Sequence, residues 1–156
     1  MRARESTDPL APIAGIKGVT ALAVGMNHAC AIVAGGQTMC WGDNSFGQLG
    51  DGDWGATRTI PAPLTGASPA RAVVAGAGHT CILQIDGRVV CAGANQWNQS
   101  GQFPTGSRTP LAAVPRMTDV RVLAAGGFHT CALTASRDLL CLGKNYRGAP
   151  SRLAVR

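Results

Sequence analysis

Histidine and cysteine are the side chains of this chain best suited to chemistry, and they follow a fixed pattern. Every histidine begins a His-x-Cys triplet, and a second cysteine follows the first after ten residues. Successive histidines are 51 and 50 residues apart. The groups are His28, Cys30 and Cys40; His79, Cys81 and Cys91; and His129, Cys131 and Cys141. This register indicates an internal repeat of about 50 residues.

The same groups could bind a metal, because zinc sites use histidine and cysteine. No Cys-x-x-Cys pair occurs, however, and each of three sites would need a fourth ligand. The chain also has no G-x-S-x-G, H-E-x-x-H or Walker pattern. Asp43, Asp51 and Asp53 lie among glycines, which is typical of turns more than of a calcium loop. We therefore expect no metal, no cofactor, no catalytic residues and no enzymatic activity.

Each repeat reads locally as a β-hairpin that would position the cysteines. In the second repeat, Asp86-Gly87 separates two strand-like runs, and Gly35-Gly36 takes that place in the first. The third has Ser136-Arg137-Asp138 there, so its turn is less well specified. If Gly35 centres the first hairpin, Cys40 lies opposite Cys30 across the strands. The pattern thus predicts one disulfide per repeat in an exported protein, with six buried thiols as the alternative in a cytosolic one.

Glycines and prolines also keep fixed places in the repeat. Gly25, Gly76 and Gly126 precede the histidines by three residues, and Gly42, Gly93 and Gly143 follow the second cysteines by two. Such offsets predict backbone bends or close strand packing where a Cβ would not fit. The prolines of 61–63 and 110–115 predict exposed connecting strands or loops between the units.

Composition agrees with a turn-rich, all-β protein. Glycine and proline contribute 30 of 156 residues, and 14% of residues are charged against about 25% in ordinary globular chains. No apolar run is long enough for a membrane span. The basic N-terminus is followed by Glu5, Asp8, Pro9 and Pro12, which do not form an export signal. We expect an extracytoplasmic or secreted protein if the cysteines are paired, and a cytoplasmic one otherwise.

The net charge of +6 is concentrated towards the C-terminus. Residues 109–156 carry seven basic side chains, Arg116, Arg121, Arg137, Lys144, Arg147, Arg152 and Arg156, against two acidic ones. These are spread along the segment and have few aromatic neighbours for base stacking. Nucleic acid is left open as a partner but is not indicated.

The repeat unit resembles the regulator of chromosome condensation repeat, whose hallmark reads G-x-x-H-T-x-A-L, a turn, and W-G-x-N-x-x-G-Q-L-G. Residues 25–28 and 40–50, which include Trp41 and Gly42, match it well, and residues 129–134 match its first half. Ala92 and Leu142 replace the tryptophan. Residues 98–101 are a degraded form of 47–50, and the third unit stops after residue 150.

The resemblance implies an all-β, partial β-propeller of about three blades built from short antiparallel strands. It also implies a structural histidine that bonds backbone within its own blade. We expect an N-terminal extension at 1–18, repeats at about 19–69, 70–119 and 120–150 (the last truncated), and a tail at 151–156. Full members of the family resemble closed seven-bladed propellers. We therefore favour a piece of a larger propeller over self-association or an open arc.

The function implied is a non-catalytic protein-binding or scaffold module with an unknown protein partner. Two alternatives rest on the fold alone. One is guanine-nucleotide exchange on a small GTPase, and the other is a bacterial, secreted inhibitor-like propeller that acts on an enzyme. No residue of either activity can be assigned in this sequence.

Overall fold

The computed structural model describes residues 12–67, 69–102 and 107–144, and these form eleven short β-strands. Within these residues no helix is long and apolar enough to cross a bilayer. The predicted third-unit end at 145–150, the tail and most of the N-terminal extension lie outside the described residues. The strands are β1 (Val19–Val24), β2 (His28–Val33), β3 (Thr38–Gly42), β4 (Arg58–Pro63), β5 (Ala70–Ala75), β6 (His79–Gln84), β7 (Val89–Ala94), β8 (Arg108–Ala113), β9 (Val120–Ala125), β10 (His129–Thr134) and β11 (Leu139–Gly143).

The strands form three antiparallel sheets in sequence order, and each sheet is one propeller blade. The first contains β1 to β4, the second β5 to β8, and the third β9 to β11. In the middle hairpin of every blade the two cysteines are directly opposed, as the hairpin interpretation predicts. The expected partial propeller of about three blades is therefore confirmed.

The central hairpin turns share one geometry, including the turn that lacks glycine. Gly36, Gly87 and Arg137 occupy the same place and have φ values of +80°, +85° and +70°. Each donates its backbone N–H to the carbonyl three residues earlier. An arginine in this left-handed region is strained where glycine is not. In the third turn, Thr134 Oγ1 accepts a hydrogen bond from the backbone N–H of Asp138 at 3.1 Å and so holds the turn.

The proline-bearing connectors are edge strands. Pro61 and Pro63 lie in β4, and Pro110 lies in β8; each strand is the last of its sheet. Proline lacks the N–H needed for a second ladder, so it is tolerated at an edge and not in the middle of a sheet. The two connectors thereby end the first and second blades.

Apolar side chains pack between neighbouring blades and form two cores. In the first core, Cys30 and Ile32 of blade 1 meet Val73 and Ile82 of blade 2. In the second, Leu83 of blade 2 belongs to the cluster that holds the apolar side chains of β9. Because side chains alternate along a strand, each internal strand faces the preceding blade with one set and the following blade with the other. A blade without a neighbour on one side therefore exposes the apolar residues of that face.

The glycines at fixed offsets within the repeat occupy places where a Cβ would collide. Gly93 has a φ of +108°, and a Cβ there would lie 2.8 Å from His79 Cα. At Gly25, Gly76 and Gly126, a Cβ would enter the imidazole ring of the histidine three residues later. Trp41, the remaining hallmark, is half-buried at the end of β3 with its Cα opposite Ala29.

Candidate functional site

A chain of hydrogen bonds crosses each joint between blades. His28 Nε2 lies 2.9 Å from Thr80 Oγ1 in the next blade, and Thr80 Oγ1 donates to the carbonyl of Gln48 at 2.7 Å. The second joint repeats this arrangement. His79 Nε2 lies 2.9 Å from Thr130 Oγ1, which donates to the carbonyl of Gln99 at 2.9 Å. All four histidine and threonine side chains are buried.

The threonine fixes the tautomer of the histidine. A threonine hydroxyl has one hydrogen to donate, and here it goes to the glutamine carbonyl. The histidine Nε2 must therefore carry the proton that completes the contact. The buried Nδ1 atoms of His28 and His79 have no hydrogen-bond partner among the described residues. Each joint thus contains a neutral imidazole protonated at Nε2.

Burial keeps these imidazoles neutral. Burial, with smaller contributions from the neighbouring His28 and His129, lowers the pKa of His79 to about 4. Burial also lowers the pKa of His28, although the Asp43 carboxylate partly opposes this. A neutral ring costs less to bury than a charged one. The joints are therefore structural at neutral pH.

The expectation that each histidine bonds backbone within its own blade is wrong. His28 and His79 bond a threonine side chain of the following blade, so the histidine links blades. His129 is exposed, because no further blade lies against it in the described part of the chain. A sequence signal for the link existed: threonine follows His79 and His129, whereas alanine follows His28.

Two loops supply the carbonyls that the threonines bond, and the degraded hallmark keeps the same structure. Asn44 Oδ1 accepts from the N–H of Leu49, and Asn95 Oδ1 accepts from Ser100. The side chains of Gln48 and Gln99 turn back onto their own loops in the same way. Asn98 takes the left-handed place of the hallmark glycine with a φ of 63°. The asparagine and glutamine side chains therefore carry the loop, and the intervening residues can vary.

The structure brings every predicted cysteine pair to disulfide-bonding distance. The Cα atoms of Cys30 and Cys40 are 4.1 Å apart, and the two other pairs have the same separation. Within the residues the structure describes, no group of three or more His, Cys, Asp or Glu side chains could hold a metal ion. The histidine Nε2 atoms point to threonine instead.

The acidic residues of the first loop are used within the loop. Asp51 Oδ2 lies 2.6 Å from Arg58 Nη2, and Asp51 Oδ1 accepts a hydrogen bond from Asn44 at 3.0 Å. Burial raises the pKa of Asp43, but hydrogen bonds from Ser45 and Gln48 outweigh it and hold this pKa below its usual value. These contacts fix the loop against the blade.

Exposed aromatic side chains gather at one end of the blades, which we call the loop rim. It consists of loops 43–57 and 95–102 and turns 25–27, 76–78 and 126–128, since β-strands of all three blades begin or end there. Four aromatic side chains on it are 36–44% exposed: Phe46, Trp54, Trp97 and Phe128. Backbone hydrogen bonds, such as Ala77 N–H to the Gly127 carbonyl at 2.9 Å, tie neighbouring turns together. The rim is thus an aromatic surface on a rigid base.

Cationic side chains lie over two of these rings. The guanidinium of Arg108 is 4.8 Å from the Trp54 ring centre, and the Lys144 ammonium is 4.1 Å from that of Trp97. The repeat pattern of histidines, cysteines and glycines did not predict this surface. Its signal was the equivalence of Phe46 and Trp97, which are 51 residues apart and precede the buried glutamines by two.

A concavity of about 350 Å³ lies between blades 1 and 2, next to the first loop of the rim. It is lined by the loop at Gly50 and Asp51, by Val90, and by Leu111 of β8. Its one titratable side chain, Asp51, already pairs with Arg58. The concavity brings together no acid–base or nucleophilic groups.

Successive antiparallel sheets with equivalent joints define a tandem-repeat β-propeller protein. Two models of the regulator of chromosome condensation (RCC1) repeat match the sequence, one over residues 36–83 and the other over 19–48, 70–102 and 120–149. The chain belongs to the RCC1 repeat family.

Sequence relatives are much longer proteins. The human probable E3 ubiquitin-protein ligase HERC4 is 32% identical over 85 residues, which are 53% of this chain and 8% of HERC4. The ultraviolet-B receptor UVR8 of Arabidopsis thaliana is 31% identical over 112 residues, 70% of this chain and 24% of the receptor.

Solved structures show the same fold. The structure of yeast RCC1 (Prp20) bound to Kap60 gives a TM-score of 0.71 at 25% identity, over 83% of this chain and 33% of that one. The structure of human WBSCR16 gives a TM-score of 0.73 at 23% identity, over 85% of this chain and 36% of that one. The chain therefore spans about a third of these propellers.

Proposed function

We propose that this chain is a non-catalytic protein-binding module and that the loop rim contacts the partner. The exposed rings of Phe46, Trp54, Trp97 and Phe128 carry this proposal. Tryptophan and arginine are enriched among the residues that dominate binding energy at protein interfaces. Loops held by a rigid scaffold are also the usual position of binding residues.

Buried residues hold the blades together, and a different set of residues is exposed on the rim. This separation supports the rim as the binding surface. The joint residues, such as His79 and Thr130, are fully buried and hold the blades together. The rim residues contribute only part of their surface to this packing. Solved relatives of this fold are described with protein partners: yeast RCC1 (Prp20) with Kap60, and Prp20p with binding to Gsp1p and histones.

Variants at the two ends of the blades test the proposal. The immobilised chain is used to capture proteins from a cell extract, and the strongest captured protein is purified and titrated calorimetrically. We expect Trp97→Ala to weaken its binding about tenfold or more. Ile85→Ala is the matched control, because Ile85 is 64% exposed in the hairpin turn at the opposite end of blade 2. We expect its effect to stay within about twofold.

Equal affinities for wild type and Trp97→Ala would overturn the rim as the contact surface. The identity of the captured protein separates the two alternative functions. A small GTPase would lead to a nucleotide-release assay, and faster release would assign exchange activity. An enzyme whose activity falls on binding would assign inhibition.

A further inference from the structure

The first strand of each blade contains a β-bulge at the same place. The extra residues are Thr20 in β1, Arg71 in β5 and Arg121 in β9. A bulge takes its extra residue out of the strand alternation and re-aims its side chain. In β5, Ala70 is buried in the first core and Ala72 packs against the second, whereas Arg71 between them is exposed. Each bulge thus presents one side chain outside the blade joints.

The bulges lie where neighbouring blades converge. The first strands pack against one another across the joints, β1 on β5 and β5 on β9. The bulged residues are the second residues of these strands, at the end of the blades opposite the loop rim. We call this end the turn end, because the hairpin turns 34–37, 85–88 and 135–138 lie there. Arg71 and Arg121 therefore occupy equivalent points on two strands that are in contact.

The two arginines are not used within the described part of the molecule. In blade 1, Thr20 Oγ1 donates a hydrogen bond to the carbonyl of Ile32 at 3.1 Å and so turns back onto its own blade. Arg71 and Arg121 are exposed, and among the described residues neither guanidinium has a hydrogen-bond or ion-pair partner. Two like charges on contacting strands repel each other. An anion bound to both would relieve this repulsion.

The surroundings of the two arginines favour separate carboxylates over a nucleic-acid backbone. The planar guanidinium fork matches both carboxylate and phosphate. Asp86 and Asp119 are also exposed at the turn end, and they would repel a continuous row of phosphates. No Phe, Tyr or Trp ring among the residues that the structure places lies at the turn end, so nucleic-acid bases would have no stacking platform there.

We propose that Arg71 and Arg121 bind the carboxylate side chains of an acidic segment of a partner protein. The site lies at the turn end of blades 2 and 3 and is separate from the loop rim. Its two guanidinium groups are exposed and free to form bidentate pairs with carboxylates. Arginine is also among the residues that dominate binding energy at protein interfaces.

Binding of a fluorescently labelled oligoglutamate peptide to the full chain tests the proposal. Fluorescence anisotropy is measured at low and at physiological ionic strength. The loss variant is Arg71→Thr/Arg121→Thr, which copies Thr20 and so keeps a residue that the bulge already accepts. The matched control is Lys17→Gln/Arg88→Gln, which also removes two exposed positive charges, one just before β1 and one in the turn of blade 2.

We expect the loss variant to bind oligoglutamate at least about tenfold more weakly than wild type. The control should stay within about threefold, because it changes only the net charge around the site. Thr20→Arg should bind more tightly than wild type, since it adds an equivalent arginine on blade 1. It should also bind more tightly than Gln37→Arg, which adds the same charge in the hairpin turn.

Equal weakening in the loss variant and the control would overturn the proposal, because net charge alone would then explain the binding. Absence of oligoglutamate binding to the wild type at low ionic strength would overturn it as well. Duplex DNA and phosphatidylserine vesicles are titrated in parallel. If either bound more tightly than oligoglutamate and lost its binding in the loss variant, the ligand would be a phosphate polyanion and the assignment to an acidic protein segment would be wrong.

Discussion

At the scale of single residues, the histidines explain how the repeat holds together. Each described internal joint has one imidazole, one threonine hydroxyl and one glutamine carbonyl in series. The arrangement satisfies a buried hydroxyl and a buried carbonyl without any charged group. His28 and His79 are neutral in the folded chain. Lowering the pH should therefore protonate them and destabilise the joints.

Stability should therefore fall as the pH is lowered through the titration of His79. Its folded pKa of about 4 lies below the value of about 6.5 in an unfolded chain, so the unfolded state binds more protons between these values. The contribution of neutral His79 to the free energy of unfolding is fully present above about pH 6.5 and is lost as the pH falls to about 4. The loss is about 3 kcal/mol. Denaturant unfolding at several pH values measures it.

The comparison variant for this titration is His79→Gln, which keeps an N–H donor for Thr130 and does not titrate. Its stability should depend less on pH over the same window, while the other titrating groups act equally in both proteins. Parallel pH profiles for the two proteins would show that His79 is not held neutral.

At the scale of elements, the hairpin and the loop after it are the units that the sequence encodes. The spacing of glycines and cysteines predicted the hairpin register, because strand alternation and turn length act within a few residues. The partner of His28 could not be derived in this way, since Thr80 belongs to another repeat. The sequence also did not predict that the second loop keeps the structure of the first, because Ser100 replaces a hallmark leucine there. Hydrogen bonds of the Asn95 and Gln99 side chains preserve the loop.

A glycine at the end of β7 tests how closely these elements approach. Gly93→Ala should lower the free energy of unfolding by about 2 kcal/mol or more, because Gly93 has a φ of +108° and its new Cβ would lie 2.8 Å from His79 Cα. Gly127→Ala is the matched control, since Gly127 has no atom within 4 Å of its Cβ position. We expect a change of at most about 0.5 kcal/mol there. Similar losses for both variants would contradict the packing described.

At the scale of the whole molecule, stability is distributed over joints and cross-strand links. Two apolar cores lie between three blades, and a cysteine pair crosses the central hairpin of each blade. Repeat proteins of this kind depend on contacts between nearest neighbours. The cysteine pairs give each blade a local constraint that does not need its neighbours.

We expect all three cysteine pairs to be oxidised in the mature protein. Each closes a short loop and should stabilise the fold by about 2–3 kcal/mol, so reduction should lower Tm by at least about 10 °C. Thiol titration in denaturant without reductant should find no reactive thiol. Six reactive thiols would contradict this expectation and would favour the cytoplasmic alternative over an exported protein.

The most direct test of the account is the protonation state of His79, measured by ¹⁵N NMR of the imidazole ring. A joint in which His79 donates to Thr130 predicts a neutral ring protonated at Nε2 at pH 7, with no titration until the pH approaches about 4. A ring protonated at Nδ1, or one that titrates near pH 6.5, would contradict the blade joint on which the fold and the loop rim depend.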